Sequence, residues 1–193
     1  MELMIIFIAA VFTHNMALTY FLGMCPFIAV SGDLRTAWGM SMAVTFVMTL
    51  ASAVTWPLYH KLLVPYNVEY LQYVVFILVI AALVQIVEMV IERSSPILYN
   101  SMGVFLPLIT VNCAILGVTL FMIVRKYTYI ESLIYSVGSG IGWGVAILAM
   151  AAIREKLRFA NVPEGLKGPG ITMIIAGLMA MGFMGFAGML NVQ

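Results

Sequence analysis

Six long apolar stretches constrain the fold of this chain more than any other feature. Each is close to the ~20 residues that an α-helix needs to cross about 30 Å of hydrocarbon. Helices are expected because lipid offers no partner to a free backbone group, and the runs are too long and uniform for barrel strands. The sequence predicts an all-α integral membrane protein with six transmembrane helices in a single domain, residues 1–193. The spans run approximately over Leu3–Phe21, Trp38–Trp56, Tyr70–Ile91, Gly103–Val124, Leu133–Ile153 and Ile171–Leu190.

The composition supports the same class. Hydrophobic residues make up 64% of the chain and charged residues only 9%, against about 25% charged residues in an ordinary soluble domain. No Lys/Arg run exists that would follow a phosphate backbone, so no nucleic-acid partner is expected. The chain also lacks a glycine-rich nucleotide fingerprint, a P-loop and a nucleophile elbow. We therefore expect this chain to catalyse nothing alone.

The positive charges in the short connections predict an orientation. Six lie after spans one, three and five (Arg35, Arg93, Arg154, Lys156, Arg158 and Lys167), and three lie after spans two and four (Lys61, Arg125 and Lys126). Because cytoplasmic loops carry the excess of Lys and Arg, the first set is predicted to be cytoplasmic. Both termini are then predicted to face outward, on the side opposite the cytoplasm.

A short motif occurs twice, 97 residues apart. Thr13–Leu18 and Thr110–Ile115 share the pattern Thr-x-Asn-x-Ala-aliphatic, at an offset of half the chain. Three spans separate the copies, so the second half would cross the membrane in the opposite sense. This indicates an inverted 3+3 repeat, with pseudo-repeats of about 1–95 and 96–193 and a site near the midplane. The alternative is chance similarity between two apolar helices.

Each copy brings an amide into hydrocarbon, where it is costly without a partner. Asn15 and Asn112 either join neighbouring helices or bond backbone that a broken helix has freed. Helix breakers are present, because Gly23 and Pro26 follow the first motif and Pro107 precedes the second. We therefore expect interrupted helices near the cysteines.

The chain has two cysteines, Cys25 and Cys113. A membrane cysteine is commonly a small buried hydrophobe. Two ligands cannot close a structural zinc site, and an iron–sulfur cluster needs four thiolates, so a partner chain would have to supply the other two. The two sulfurs can meet only if span one is interrupted and turns back, which Gly23 and Pro26 permit.

Several segments resemble one family of membrane subunits. The family contains the E subunits of sodium-translocating NADH:quinone oxidoreductases and the paralogous A subunits of Rnf complexes. Cys25–Phe27 and Thr45–Ser52 look more like the Rnf relatives, but Gly138–Trp143 and Thr110–Cys113 favour the quinone-reducing complex, which is the first expectation, with the Rnf complex as the alternative. The other segments that carry the resemblance are Asn15–Leu18, Phe21–Cys25, Ala81–Met89, Phe105–Ile115, Ile153–Lys156 and Gly177–Ala180.

The resemblance implies a 2Fe–2S cluster shared with a homologous six-helix subunit. Cys25 and Cys113 match the family's ligand positions, and Asn15, Gly23, Thr110 and Asn112 are expected around the cluster. The partner would be the D subunit of the quinone-reducing complex, or the E subunit of Rnf. Flavins and NADH would belong to other subunits of a six-subunit complex, which relays electrons across the membrane and translocates Na⁺. The chain would then be part of an oxidoreductase and translocase.

Glu88 is the clearest intramembrane carboxylate, about one turn inside the end of span three. Such groups are functional candidates. Glu88 either attracts a cation on an ion path or anchors an arginine such as Arg93.

The glycines of span five, Gly138, Gly140, Gly142 and Gly144, let backbones approach closely. We expect them to pack helices, including helices of the partner subunit.

Two other function classes remain open from the residues alone. A secondary transporter built on the inverted repeat would need polar substrate-binding groups at the midplane and no cysteine. A structural membrane anchor would need neither. Iron and acid-labile sulfide in the purified complex would separate both from the redox interpretation.

Overall fold

The computed structural model describes residues 2–94, 106–160 and 163–185, and these residues form helices and turns with no strand. The helix α1 (Glu2–Ile8) continues as a π-helical turn over Ala9–Thr13, and α3 (Leu34–Leu58) continues in the same way over Tyr59–Leu63. Short 3₁₀ turns at Glu69–Leu71 and Glu164–Leu166 precede α4 (Gln72–Ser94) and α8 (Pro169–Met184). The eight α-helices of the described part are α1 (Glu2–Ile8), α2 (Met24–Val30), α3 (Leu34–Leu58), α4 (Gln72–Ser94), α5 (Leu106–Thr110), α6 (Cys113–Val124), α7 (Tyr129–Leu157) and α8 (Pro169–Met184).

Each of the six predicted stretches contains an apolar helix. Three helical stretches, Leu34–Leu63, Glu69–Val90 and Tyr129–Leu157, are long and apolar enough to cross a membrane. The other three are shorter: Leu3–Thr13, Leu108–Val124 and Pro169–Met184. Residues 103–105 and 186–190 of the predicted spans lie outside the described part. The described residues therefore belong to an all-helical membrane protein.

The first predicted span is not one continuous helix. Helical structure ends at Thr13, eight residues before the predicted end at Phe21. Phe21 and Gly23 both have a positive φ, 54° and 76°, which turns the chain before α2 begins at Met24. The break therefore starts well before Gly23 and Pro26, because the chain leaves the helix at the Asn15 motif.

The helix α7 lies at the centre of the fold, and its glycines give it two contact faces. A Cβ at Gly142 would lie 2.7 Å from the Val11 carbonyl oxygen, and one at Gly140 would lie 2.9 Å from Thr45 Cα. Gly138 faces α1 in the same way, and Gly144 faces Ser41 on α3. The packing role of the glycines is confirmed within this chain, and their packing against a partner subunit stays a prediction.

Different loops meet at the two ends of the helical bundle. Arg154 Nη1, near the end of α7, donates to Ile28 O at 2.9 Å and Ser31 Oγ at 2.7 Å. At the other end, Trp56 Nε1 donates to Tyr127 O at 2.9 Å. Residues after predicted spans one and five therefore meet at one end of the bundle, and the end of span two meets the loop after span four at the other.

Candidate functional site

The second break in the helical structure lies between α5 and α6. The helix α5 ends at Thr110 and α6 begins at Cys113, with Asn112 in an extended conformation between them. Asn112 Oδ1 accepts a hydrogen bond from Ala114 N–H at 3.0 Å. Asn112 therefore caps α6, and Cys113 is the first residue of that helix.

The first break repeats this arrangement and adds to it. Helical structure ends at Thr13, and Asn15 Oδ1 accepts from the N–H groups of Ala17 at 3.0 Å and Leu18 at 3.3 Å. Asn15 Nδ2 also donates to Val11 O at 3.1 Å and Gly142 O at 2.8 Å. Asn15 therefore bonds the backbone that the broken helix frees and also joins this segment to α7, so it fills both roles expected from the sequence.

Gly23 joins the first cysteine segment to the second break. Its backbone N–H donates to Cys113 Sγ at 2.9 Å. With φ at 76°, Gly23 is also tightly enclosed: a Cβ there would lie 2.8 Å from both Asn112 Oδ1 and Trp143 Nε1. Gly23 directly precedes α2, whose second residue is Cys25, so the start of α2 rests on the break that carries Cys113.

Both cysteines are open to a group from outside the chain. Cys25 is exposed, Cys113 is half-buried, and both are free thiols. Cys113 also stands at the positive end of the 12-residue helix α6, where the helix dipole favours a negative charge. The described residues contain no group of three or more His, Cys, Asp and Glu side chains that could hold a metal ion.

Two buried hydrogen-bond donors at this break have no partner among the described residues. Asn112 Nδ2 and Trp143 Nε1 are unpaired, although Asn112 is only 3% exposed and Trp143 is fully buried. Trp143 also packs edge-on against Phe27, with ring centroids 6.4 Å apart. Trp143 was not predicted from the sequence as a site residue. The one signal for it was its place in the Gly138–Trp143 segment.

A cavity of about 260 Å³ opens beside Cys113, and Thr110 and Asn112 line it too. Its other walls are apolar and include Ile77 and Ile80 of α4. The structure therefore brings together Thr110, Asn112 and Cys113, while Gly23 contacts the same break. Asn15 lies at the other break and bonds to Gly142, the neighbour of Trp143.

Glu88 does not line the cavity beside Cys113. Its carboxylate is half-buried and accepts a hydrogen bond from Gln85 Nε2 at 3.4 Å. It also lines a small cavity of about 40 Å³ whose other lining residues are apolar. The hydrogen-bonding neighbour is thus Gln85 and not Arg93, and the ion-path role stays a prediction.

Comparisons with known proteins agree with this description. Residues 3–190 match the model of a family described as "Rnf-Nqr subunit, membrane protein". The E subunit of the Na(+)-translocating NADH-quinone reductase of Serratia proteamaculans is 53% identical over 189 residues, covering 95% of this chain and 96% of that protein. The A subunit of the Na(+)-translocating ferredoxin:NAD(+) oxidoreductase complex of Acetobacterium woodii is 51% identical over 189 residues, covering 98% of each.

A third relative is named without reference to quinone or ferredoxin. The A subunit of the ion-translocating oxidoreductase complex of Syntrophotalea carbinolica is 50% identical over 188 residues, with 97% of each chain covered. The two kinds of complex thus occur at nearly equal identity, and similarity does not favour the quinone-reducing one. With the family model covering nearly all of its length, this chain belongs to the Rnf-Nqr family of membrane protein subunits.

Proposed function

We propose that this chain is a membrane component of an ion-translocating oxidoreductase complex, either an NADH:quinone oxidoreductase or an Rnf complex. Together with a homologous six-helix subunit it holds a 2Fe–2S cluster inside the membrane. The observation that carries the proposal is the hydrogen bond from Gly23 N–H to Cys113 Sγ. This bond ties the start of α2, which carries Cys25, to the break where Cys113 begins a helix.

The residues at this break fit half of such a cluster. Two thiols are reachable from outside the chain, so a second subunit can supply the other two of four thiolates. The sulfurs of a cluster accept hydrogen bonds, and these bonds tune its potential. Gly23 N–H already donates to Cys113 Sγ, while Asn112 Nδ2 and Trp143 Nε1 are buried donors that lack an acceptor among the described residues.

The bound cluster supplies one-electron acceptance and donation; the chain's own residues supply the surroundings for its charge. Extra negative charge is expensive in a low-dielectric interior. The α6 terminus, the Gly23 N–H and the two unpaired donors all present positive partial charge to the Cys113 region. The apolar side chains of α4 around the adjacent cavity keep water away from it.

The same proposal includes the finer architecture. Six spans form an inverted repeat, with both termini on the periplasmic side of a bacterial inner membrane. Supporting this, both Asn motifs end a helix at their threonine and bond an N–H two residues past the asparagine. The breaks would then lie near the midplane, where repeat-based membrane proteins place their sites.

Removal of the thiols tests the cluster. Cys25→Ala and Cys113→Ala are expected to abolish the electron paramagnetic resonance signal of this cluster and the matching iron and acid-labile sulfide. Ala29→Ser, on the exposed side of α2, is the control that leaves the signal intact. An assembled complex whose cluster signal survives Cys113→Ala contradicts the proposal. Copurification of either a quinone-reducing or a ferredoxin-handling module identifies the complex.

The ion path has its own test. Glu88→Gln removes the charge and keeps the size of the side chain. If Glu88 lies on the path, sodium transport by the reconstituted complex falls while the cluster signal persists. The matched comparison is Gln85→Glu, a change of the same size at the residue that hydrogen-bonds Glu88. Unchanged transport and unchanged sodium dependence in Glu88→Gln would remove Glu88 from the path.

A further inference from the structure

A basic cleft lies at the end of the bundle opposite Tyr127, between the end of α7 and the start of α8. Its volume is about 500 Å³, and three cations line it: Arg154, Arg158 and Lys167. No carboxylate occurs among its described lining residues. The cleft therefore presents a concentrated positive charge that nothing in the proposed electron-transfer role uses.

Hydrogen bonds to the backbone hold the two guanidinium groups in place. Arg154 Nη1 donates to Ile28 O and Ser31 Oγ, and Arg158 Nη2 donates to Gly32 O at 3.0 Å. Each guanidinium has five N–H donors in a fixed fork, so donors remain for a ligand. Because the groups are already oriented, a ligand does not have to order them.

Two carboxylates lie close to Arg158 but line a neighbouring cavity. Asp33 and Glu155 line that cavity together with Arg35 and Arg158. The pKa of Asp33 is lowered first by the side-chain hydrogen bond from Thr36 and then by its backbone N–H, with Arg158 adding a smaller effect. The hydrogen bonds from Thr36 keep Asp33 ionised, so Asp33 offsets part of the charge of Arg158, whereas no described carboxylate lines the cleft that holds Arg154 and Lys167.

The start of α8 adds to the positive potential. Gly168, with φ at 97°, lines the cleft and precedes Pro169, the first residue of this 16-residue helix. The first N–H groups of a helix have no intrahelical partner, and the dipole favours an anion there. The cleft therefore combines a helix N-terminus with three cationic side chains.

An apolar track leads away from the charged end. Leu157, Phe159 and Ile171 line the cleft, and the Phe159 side chain is 92% exposed. Ile174 and Leu178 are also exposed, and their spacing from Ile171 puts all three on one face of α8. A small free anion needs no such track, whereas a molecule with an anionic head and an apolar tail uses both parts.

We propose that this cleft binds an anionic phospholipid. The headgroup phosphate contacts Arg154, Arg158 and Lys167 at the start of α8, and an acyl chain follows Ile171, Ile174 and Leu178. The ends of membrane helices are where headgroups lie, and basic pockets between such helices bind anionic lipid heads. The shared chemistry is a phosphate, so the test separates a lipid from free phosphate.

The test uses the intact complex in nanodiscs or vesicles that contain phosphatidylethanolamine with or without phosphatidylglycerol. Native mass spectrometry counts the lipid that stays bound after detergent exchange. The variant is Arg158→Gln/Lys167→Gln, which spares Arg154 because that residue caps α2. The matched control, Lys61→Gln/Lys126→Gln, removes two charges at the other end of the bundle. An unchanged cluster signal verifies that both variants assemble.

The wild-type and control complexes are expected to retain phosphatidylglycerol in preference to phosphatidylethanolamine. Each cation near a membrane surface contributes about 1 kcal/mol, so the double variant should bind it about 30-fold more weakly. Equal retention of the two lipids, or an equal loss in the control, overturns the proposal. So does displacement of the lipid by millimolar inorganic phosphate, which indicates a free-anion site. A crosslink from Lys167 to an acidic residue of a neighbouring subunit, with no lipid retained, also overturns it.

Discussion

The two broken helices share a sequence motif and one hydrogen bond, yet they are completed differently. At the first break, Asn15 makes four hydrogen bonds to backbone groups. At the second, Asn112 makes one through Oδ1, and its buried Nδ2 has no partner among the described residues. The hydrogen bonds of Asn15 are therefore completed within the chain at the first break, whereas the second break retains two buried donors without a partner among the described residues.

The two cysteines do not occupy equivalent positions in the two halves of the chain. At the offset of 97 residues, Cys113 corresponds to Met16 and Cys25 corresponds to Met122, and both methionines are fully buried. The duplicated pattern thus sets the backbone of each break. The candidate site arises only where the Gly23 turn of the first half contacts the break of the second half.

The largest expected effect comes from Asn15→Leu. This change removes four hydrogen bonds and leaves buried backbone groups unpaired, at a cost of about 3 kcal/mol or more. We expect little assembled complex, measured as the yield and thermal midpoint of the purified assembly. Met16→Leu is the control, because a volume-conserving change at the next buried residue costs less than about 1.5 kcal/mol. Equal yields for the two variants would contradict a structural role for the first break.

Gly23→Ala should have the next largest effect. The left-handed conformation costs an alanine about 1–2 kcal/mol, and the new Cβ would lie 2.8 Å from Asn112 Oδ1 and Trp143 Nε1. We expect the Gly23 turn to move off Cys113 and the cluster signal to be lost or broadened. Gly168→Ala introduces a positive-φ alanine where nothing lies within 4 Å. A cluster signal that is equally perturbed in both variants would show that strain alone is responsible.

Replacing each of the two asparagines by serine, one at a time, tests the role of the amide NH₂ donor. Serine keeps a capping oxygen and lacks the NH₂ group. Asn15→Ser should cost about 2 kcal/mol, because two bonds to buried carbonyls are lost. Asn112→Ser should leave the thermal midpoint nearly unchanged but lower the reduction potential of the cluster, because a donor to its sulfur region is removed. A redox titration monitored by paramagnetic resonance checks this, and an unchanged potential with a large stability loss would reverse the assignment.

Trp143→Phe gives the smallest expected effect. It deletes the unpaired indole N–H and retains most of the packing against Phe27. The potential of the cluster should fall by less than in Asn112→Ser, and the thermal midpoint should fall as well, because the smaller ring leaves a cavity at a fully buried position. Trp38→Phe, at an exposed tryptophan, is the control and should leave the potential unchanged. A shift of the same size in both variants would mean that Trp143 acts through packing in general.

Much of the fold follows from hydropathy, because the six apolar stretches each contain a helix. Hydropathy does not predict where the first helix ends, because Met16, Ala17 and Leu18 beyond it are as apolar and as buried as the helix itself. Hydropathy measures transfer to lipid and carries no information on where backbone hydrogen bonding stops. The asparagine and glycine positions indicated a break, but its start at Thr13 depends on the bonds that Asn15 makes.

The candidate site was predicted only as far as local sequence extends. The glycine spacing in α7 indicated that neighbouring helices approach its backbone closely. Because of the helical period, Gly138 and Gly142 face one neighbour and Gly140 faces another. The contact between Gly23 and Trp143 joins residues 120 positions apart, so only the packed structure reveals it. Tyr135 lies near the boundary of a predicted span, yet its side chain is only 1% exposed. Its burial likewise depends on packing that the local sequence does not show.

The most direct test of the central claim locates iron in the intact complex. Diffraction recorded on either side of the iron absorption edge gives an anomalous difference map that marks each iron atom. We predict an iron peak within bonding distance of Cys25 Sγ and Cys113 Sγ, with the remaining ligands from the homologous subunit. Well-ordered sulfurs at both positions with no iron peak between them would contradict the claim.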